Sequence, residues 1–344
     1  MRIAISWQLL PEFAIVGLAA ILLSAGLIVA LMPLLVRYAM ARPNARSSHV
    51  TPTPQGGGIA VVGAVTLLAI PTMLYLPGFD AVQLHQLWVL FAAVALLATI
   101  GAVDDIRTIE ALPRLLFQFL AVGVVVALLP EEVRVFPGIP LWLERLITVF
   151  TGVWCVNLVN FMDGIDCMVV VEIVPLSAAL CLLAIIGALP LPATLIAFAL
   201  LGAMIGFAPF NRPVAKLFLG DVGSLPIGLL MFWLLLQLAG RGHVIAALLL
   251  PLYFLADATV TLVLRIVRRE SIMTAHREHF YQQAMDRGLP VKTVIVRIAA
   301  VNIVLALLAL ATATLRSPMF SLAALVAGGA LVAVLLANLA KSER

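Results

Sequence analysis

Long apolar runs, broken at short intervals by Gly, Pro, Asp and Arg, set the pattern of this chain. Residues 13–36 carry no charge and are long enough, at 1.5 Å per residue, to cross a hydrocarbon core of about 30 Å. Residues 173–211 are long enough for two passes joined by the Pro190-Leu191-Pro192 turn. Lipid offers no partner for backbone N–H and C=O groups, so such segments must be helices or strands of a closed barrel. Continuous rather than alternating apolar positions select helices. Hydropathy and turn formers together predict eleven of them, near 13–36, 57–76, 84–103, 113–129, 144–162, 166–187, 191–210, 220–239, 243–266, 293–315 and 319–340. The expected fold is an all-α integral membrane protein, a polytopic bundle forming one membrane domain over residues 1–344.

Composition agrees: 64% of residues are hydrophobic and 11% charged, which excludes an ordinary soluble globular domain. The first apolar run follows Met1-Arg2 without a small-residue cleavage site and reads as a retained helix. Cys155, Cys167 and Cys181 form no paired pattern and read as reduced and structural. With the N-terminus placed outside, 16 of the 21 Lys and Arg residues fall on inner segments; the outer ones keep Arg2, Arg134, Arg145, Arg241 and Arg316. The positive-inside bias therefore predicts a periplasmic N-terminus and a cytoplasmic C-terminus. Cytoplasmic loops then fall near 37–57, 104–113, 162–166, 211–224 and 266–292. The clusters around Asp104-Asp105, Asn160-Asp166, Gly220-Ser224 and His276-His279 all fall on that cytoplasmic side, at helix ends and short loops.

Charges are costly in such a sequence, so each cluster calls for a reason. Asp104-Asp105 ends an apolar run; adjacent carboxylates repel unless a cation relieves them, and a solvated helix end is the plainer alternative. Between Asn157 and Asp166 two amides and two further carboxylates, Asn160 and Asp163 among them, stand within ten residues around Gly164. Donors that are all oxygen suit Mg²⁺ or Mn²⁺ rather than Zn²⁺. Gly220-Asp221-Val222-Gly223-Ser224 opens a helix, where free N–H groups favour phosphate, or where Asp or Ser serves as an N-cap. His276-Arg277-Glu278-His279 lies in the longest inner loop and suits a phosphate, with attraction to lipid headgroups as the alternative, especially for Arg265, Arg268 and Arg269. Ser48 and His49 lie in a hydroxyl-rich segment leading to Gly56-Gly57-Gly58, which reads as an anion-contacting loop or an adaptable turn.

In this order the segments resemble the polyprenyl-phosphate N-acetylhexosamine-1-phosphate transferase family. The resemblance rests on RSSH-x-x-PTP-x-GGG, Gly101-Ala102-Val103-Asp104-Asp105, N-x-x-N-F-M-D-G-I-D, F-L-G-D-V-G-S and H-R-E-H, over roughly residues 46–290. It implies a bacterial inner-membrane enzyme of ten or eleven helices with a cytoplasmic cleft. That enzyme transfers a sugar-1-phosphate from a UDP-sugar to undecaprenyl or another polyprenyl phosphate, releasing UMP, with Mg²⁺ or Mn²⁺ as cofactor. Its partners are the two substrates and the membrane; no nucleic acid is expected, and a homodimer is left open. By the resemblance, Asn160 and Asp221 are metal positions and Asp104 and Asp105 the catalytic acidic pair. Asn157, Asp163, Asp166, His276, Arg277, His279, Ser48 and His49 fall to substrate binding. Two departures stand out. Asp166 is followed by Cys167-Met168-Val169 where the family run continues Gly-Leu-Ala, and H-R-E-H replaces the three-histidine run of the peptidoglycan-precursor branch. The pattern is nearer to enzymes that initiate O-antigen or similar surface polysaccharides from a UDP-N-acetylhexosamine.

A polytopic secondary transporter is the rival reading. Transporters place binding groups near the midplane on broken helices of repeated halves; here the carboxylates sit at inner ends and no repeat is visible. Orientation is testable directly. Reporter fusions after Thr108, Val214 and Phe280 are expected to report cytoplasm, and those after Arg134 and Arg241 the outside. An outside signal at Thr108 or Phe280 would split the polar clusters across the bilayer.

Overall fold

A computed structural model describes residues 9–41, 52–271 and 277–341. The chain is an all-α polytopic membrane protein. Its helices are α1 (Leu10–Tyr38), α2 (Gly57–Tyr75), α3 (Ala81–Ile106), α4 (Ala111–Ala127), α5 (Leu141–Met162), α6 (Met168–Ile185), α7 (Leu191–Asn211), α8 (Asp221–Ala239), α9 (Val244–Leu249), α10 (Leu252–Val267), α11 (Phe280–Asp286), α12 (Val291–Leu315) and α13 (Pro318–Ala340). Among the described residues nine of these are long and apolar enough to cross a membrane, and α4 is a shorter apolar helix of 17 residues.

Each of the eleven expected spans finds a helix, with one change. The ninth, expected as a single helix over 243–266, is divided into α9 and α10 around Leu250-Pro251. Pro251 has no N–H to give, and its ring would clash with the carbonyl four residues back, so the helix restarts there. The short α11 was not anticipated; its seven residues include Tyr281 and Gln282, both buried.

Burial is graded across the bundle. In α8 every residue from Val222 to Ala239 is buried, and the helix packs against α3, α5, α2 and α9. The outer helices turn one face to lipid. In α4, Leu112, Leu116, Leu120 and Val124 are exposed at intervals of four, while Gln118, Val122, Val125 and Val126 are buried. That spacing is one stripe of an α-helix.

Two close approaches bring neighbours onto the start of α8. A Cβ at Gly58 of α2 would lie 2.1 Å from the Cα of Gly223, and one at Gly101 of α3 would lie 2.2 Å from the carbonyl oxygen of Asp221. Only glycine lets these backbones touch. A two-stranded ribbon, β1 (Met40–Ala41) antiparallel to β2 (Thr53–Pro54), leads into the same place. The Phe218 N–H donates to Pro54 O at 2.9 Å, and Gly57 and Gly58 N–H donate to Phe218 O and Leu219 O at 2.9 and 2.8 Å. The glycine triplet thus directs its amides to carbonyls of the loop before α8. Gly56 is the N-cap of α2, and Gly57 and Gly58 are its first residues.

Gly58→Ala is expected to destabilise the protein by about 1–3 kcal/mol or more, because backbone atoms must separate to admit the methyl. Gly63→Ala is the control, since its Cβ would meet nothing nearer than a Leu27 side-chain carbon at 3.5 Å. Thermal unfolding of the two detergent-extracted variants checks this; equal midpoints would refute the tight crossing.

Candidate active site

Three helix ends and one turn converge at a single end of the bundle. Asp104 and Asp105 are in the last turn of α3, Asn160 in the last turn of α5, and Asp221 is the first residue of α8. Asp163 follows α5 directly as its C-cap. The amides and carboxylates singled out from residues 157–166 therefore share a neighbourhood with residues sixty positions downstream.

The two adjacent aspartates have separate surroundings. The carboxylate of Asp105 accepts the Asp221 N–H at 2.9 Å through Oδ1 and the Val222 N–H at 3.1 Å through Oδ2. It satisfies the first free amides of α8, a task that an N-cap side chain normally performs. The N-cap itself is Gly220 at φ +77°, where a Cβ would stand 2.6 Å from Asp105 Oδ2. Neither Asp221 nor Ser224 caps this helix. Asp104, in contrast, accepts the Ile109 N–H at 2.5 Å and pairs with Arg114 Nη1 at 2.7 Å. The same guanidinium nitrogen lies 3.3 Å from Asp221 Oδ2. Asn160 Nδ2 donates to Asp221 Oδ1 at 2.8 Å and to Ser224 Oγ at 3.0 Å. Asp104, Arg114, Asp221 and Asn160 thus form one connected polar cluster.

Other candidates divide between the cluster and its supports. Asn157 donates to Gln118 Oε1 at 2.6 Å and to Val153 O at 2.9 Å, on the wall of a groove adjoining Arg114. Asp163 is partly accessible; burial, with Asp105 and Asp166 nearby, pushes its carboxyl up to about 7. A cation beside it would restore the charged form. Asp166 is 3% exposed and accepts the Ala215 N–H at 3.0 Å, so it ties the loop before α8 to the turn after α5. Asn211 reinforces that tie, accepting from Cys167 N–H at 2.8 Å and donating to Leu217 O at 2.9 Å.

His279 is also a support. It is 2% exposed, with Nδ1 3.2 Å from Asp257 Oδ1, and its ring stacks on Tyr281 with centroids 5.9 Å apart. Tyr281 donates to Phe161 O at 3.2 Å, and a Cβ at Gly164 would fall 2.0 Å from its hydroxyl. In this way α11 is docked on the Asp163-Gly164 turn. Arg277 pairs with Asp286 at 2.8 Å. Arg265, one of the arginines considered for lipid headgroups, is instead buried and paired with Glu278 and with Glu270. Ser48, His49 and His276 lie outside the described residues.

Sequence reading passed over Asp257, which is 0% exposed and accepts from Phe280 N–H and Tyr253 hydroxyl at 3.1 Å each. A lone carboxylate inside the ninth apolar run was the available signal. The role of Asp105 as a cap in trans had none.

A groove of ≈ 410 Å³ leads away from the cluster. Arg114 and Asn157 stand on its wall, with Phe119, Phe150, Trp154 and Phe161 making much of the remainder. The site therefore joins a charged cluster to an aromatic channel.

Among the described residues no three His, Cys, Asp or Glu side chains form a ready-made metal cluster. Mg²⁺ needs no such cage: it keeps several waters and takes one or two carboxylates together with substrate phosphates. Asp221 and Asn160, in contact and all oxygen in their ligating atoms, fit that requirement.

Comparison with known proteins bears out the resemblance read from the motifs. Residues 87–239 match the family model described as glycosyl transferase family 4. Decaprenyl-phosphate N-acetylglucosaminephosphotransferase of Mycobacterium tuberculosis is 30% identical over 247 residues, which is 64% of this chain and 59% of that protein. Phospho-N-acetylmuramoyl-pentapeptide-transferase of Lactiplantibacillus plantarum is 26% identical over 300 residues, covering 76% of this chain and 88% of the relative. A probable undecaprenyl-phosphate N-acetylglucosaminyl 1-phosphate transferase of Bacillus subtilis is 22% identical over 265 residues, covering 73% and 71%. The match thus spans about three fifths of the mycobacterial relative's length.

Asp105→Ala is expected to strand two amides at the start of a buried helix and to cost about 1–3 kcal/mol. Hydrogen exchange across residues 220–224 should rise together with a lower thermal midpoint. Unchanged protection there would show that Asp105 does not hold α8.

Proposed function

We propose that this chain, with a glycosyl transferase family 4 region at residues 87–239, transfers N-acetylhexosamine-1-phosphate from a UDP-sugar to polyprenyl phosphate. UMP is the leaving product. The observation that carries the reading is the opening of an aromatic, apolar groove onto Arg114 beside Asp104, Asp221 and Asn160. A long isoprenoid tail suits such a groove, and its phosphate would then arrive at the only end of the tail where cations and metal-ligating oxygens wait. The names of the relatives carry a polyprenyl phosphate and a transferred N-acetylglucosamine phosphate, which supports this reading.

The reaction brings two anions together, so charge neutralisation is its main difficulty. An acceptor phosphate oxygen forms a bond to the phosphorus that carries the sugar, and the bond from that phosphorus to the bridging oxygen of the diphosphate breaks. The electron pair leaves with UMP. Asp221 and Asn160 would hold Mg²⁺, which would supply electrostatic stabilisation of developing negative charge. Asp104 orients the acceptor and removes a residual proton from its phosphate, and Arg114 offers a phosphate-directed guanidinium. Asp163, near the turn after α5, lies on the nucleotide side in this reading, with Arg277 and His276 serving the donor's anionic part. At neutral pH the phosphate is already largely ionised, which favours direct attack over an aspartyl-phosphate intermediate.

The setting proposed is the bacterial inner membrane, with the cluster facing the cytoplasm, and the product opens O-antigen or a similar surface polysaccharide. The census of inner and outer Lys and Arg supports that orientation. The H-R-E-H run, distinct from three histidines, supports a UDP-N-acetylhexosamine over a muramoyl-pentapeptide donor.

UMP release should appear when the purified protein is given polyprenyl phosphate and one of a panel of UDP-sugars. Chelation should stop it and Mg²⁺ restore it. Asp221→Ala should lower kcat by about 10²-fold or more without unfolding the protein, since it removes electrostatic stabilisation at the reacting centre. Release of UMP at full rate by a folded Asp221→Ala variant would remove that residue from the site. Absence of UMP with every donor would refute the function.

A further inference from the structure

A second cavity lies at the opposite end of the bundle. It occupies ≈ 690 Å³ where the segment after α6, the α8–α9 connection and the α12–α13 connection meet. Helix α8 separates it from the Asp221 cluster by its 19 residues, roughly 28 Å of helical rise. Arg241, His243 and Arg316 stand on its wall with the hydroxyl of Ser321, and no carboxylate lines it.

The two arginines are unusual for their place. Only five Lys and Arg residues belong to this end of the chain by the charge census, and two of the five line one cavity. Among the described residues neither guanidinium has a carboxylate within ion-pair distance. Arg241 also borders a smaller cavity carrying Asp80 and Glu132, at longer range than a salt bridge. Arg316 closes α12 in the left-handed region at φ +49°, a position that glycine fills more cheaply. A cation is nevertheless held there, against the cavity.

The remaining wall is apolar. Ile186 and Leu322 contribute to it, and both are exposed, as are Leu315 and Met319 beside the same connection. These exposed apolar side chains suit contact with lipid. The cavity thus combines forked donors suited to a phosphate with an apolar side open to acyl chains. We propose that it binds the phosphate of an anionic phospholipid headgroup from the leaflet opposite the Asp104–Asp221 cluster. This assignment uses none of the residues placed in the transferase site and stands apart from the proposed function.

Delipidated full-length protein, titrated with phosphatidylglycerol or phosphatidylcholine and followed by native mass spectrometry, tests it. One phosphatidylglycerol is expected to bind about tenfold or more tightly than phosphatidylcholine, the scale set by two cations near a phosphate. The Arg241→Gln/Arg316→Gln variant should lose that preference, and Arg241→Lys/Arg316→Lys should retain most of it. Ser321→Phe, which fills the cavity and leaves both cations, should also lose it and keeps the test open if the Gln pair fails to fold. Equal binding of the two lipids, or an unchanged preference in the Gln pair or in Ser321→Phe, would overturn the proposal. Displacement of the lipid by millimolar inorganic phosphate would overturn it too, in favour of a soluble anion.

Discussion

The first amides of α8 find no acceptor within their own helix, and the Asp105 carboxylate of α3 supplies one for Asp221 and one for Val222. Much of the polar site depends on that contact. Helix α8 is buried from Val222 onward, and its first amides take their acceptors from protein. A carboxylate is the best acceptor for the purpose, because the helix terminus carries partial positive charge. Its reach is short, and the bare backbones of Gly101 and Gly220 make the approach fit. Once α3 and α8 are joined there, Asp104 and Asp221 face each other and the same guanidinium.

The same economy gives two neighbouring aspartates different partners. Asp105 is balanced by backbone dipoles and Asp104 by Arg114 and the Ile109 amide. Around them lies a ring of supports with little exposure. Asp166 and Asn211 hold the loop before α8, and the Asp257–His279 pair with Tyr281 holds α11 against the turn after α5. Such fully partnered polar groups fix geometry more than they contribute stability. Chemistry at the Asp163 turn then depends on residues from α10 and α11 that never enter the cluster.

The apolar runs made the helices readable, since a span must satisfy its own backbone and leaves no alternative structure. The division of the ninth span was readable in principle from Pro251, but hydropathy alone joins α9 to α10. The meeting of Asp104, Asn160 and Asp221 was legible because all three sit at helix ends on one side. What each does was not. Asp-Asp looks like a pair in one dimension, and only the α3–α8 crossing assigns one member to a backbone and the other to a side chain. His279 illustrates the opposite limit: in a basic loop motif it reads as facing a phosphate, while Asp257, hidden in an apolar run, takes its Nδ1 side inside. The glycine triplet carries the same lesson, since its amides meet the Phe218 and Leu219 carbonyls rather than a ligand.

Arg114 is the member of the cluster whose charge matters most for the proposed reaction. Two carboxyl groups share one guanidinium there, an arrangement that suits a divalent cation. Mg²⁺ held by Asp221 and Asn160, as proposed, would bring positive charge to the cluster and make it receptive to anionic substrates. The bridge from Arg114 to Asp104 and Asp221 would then lose part of its purpose, because Asp221 would have the cation as its partner. A guanidinium released from a carboxylate keeps its full set of donors, and the nearest apolar channel ends beside it. In the proposed reaction, cation entry and acceptor entry would therefore be coupled through a single side chain: the first would unload Arg114 from Asp221, and the second would give it a phosphate to hold.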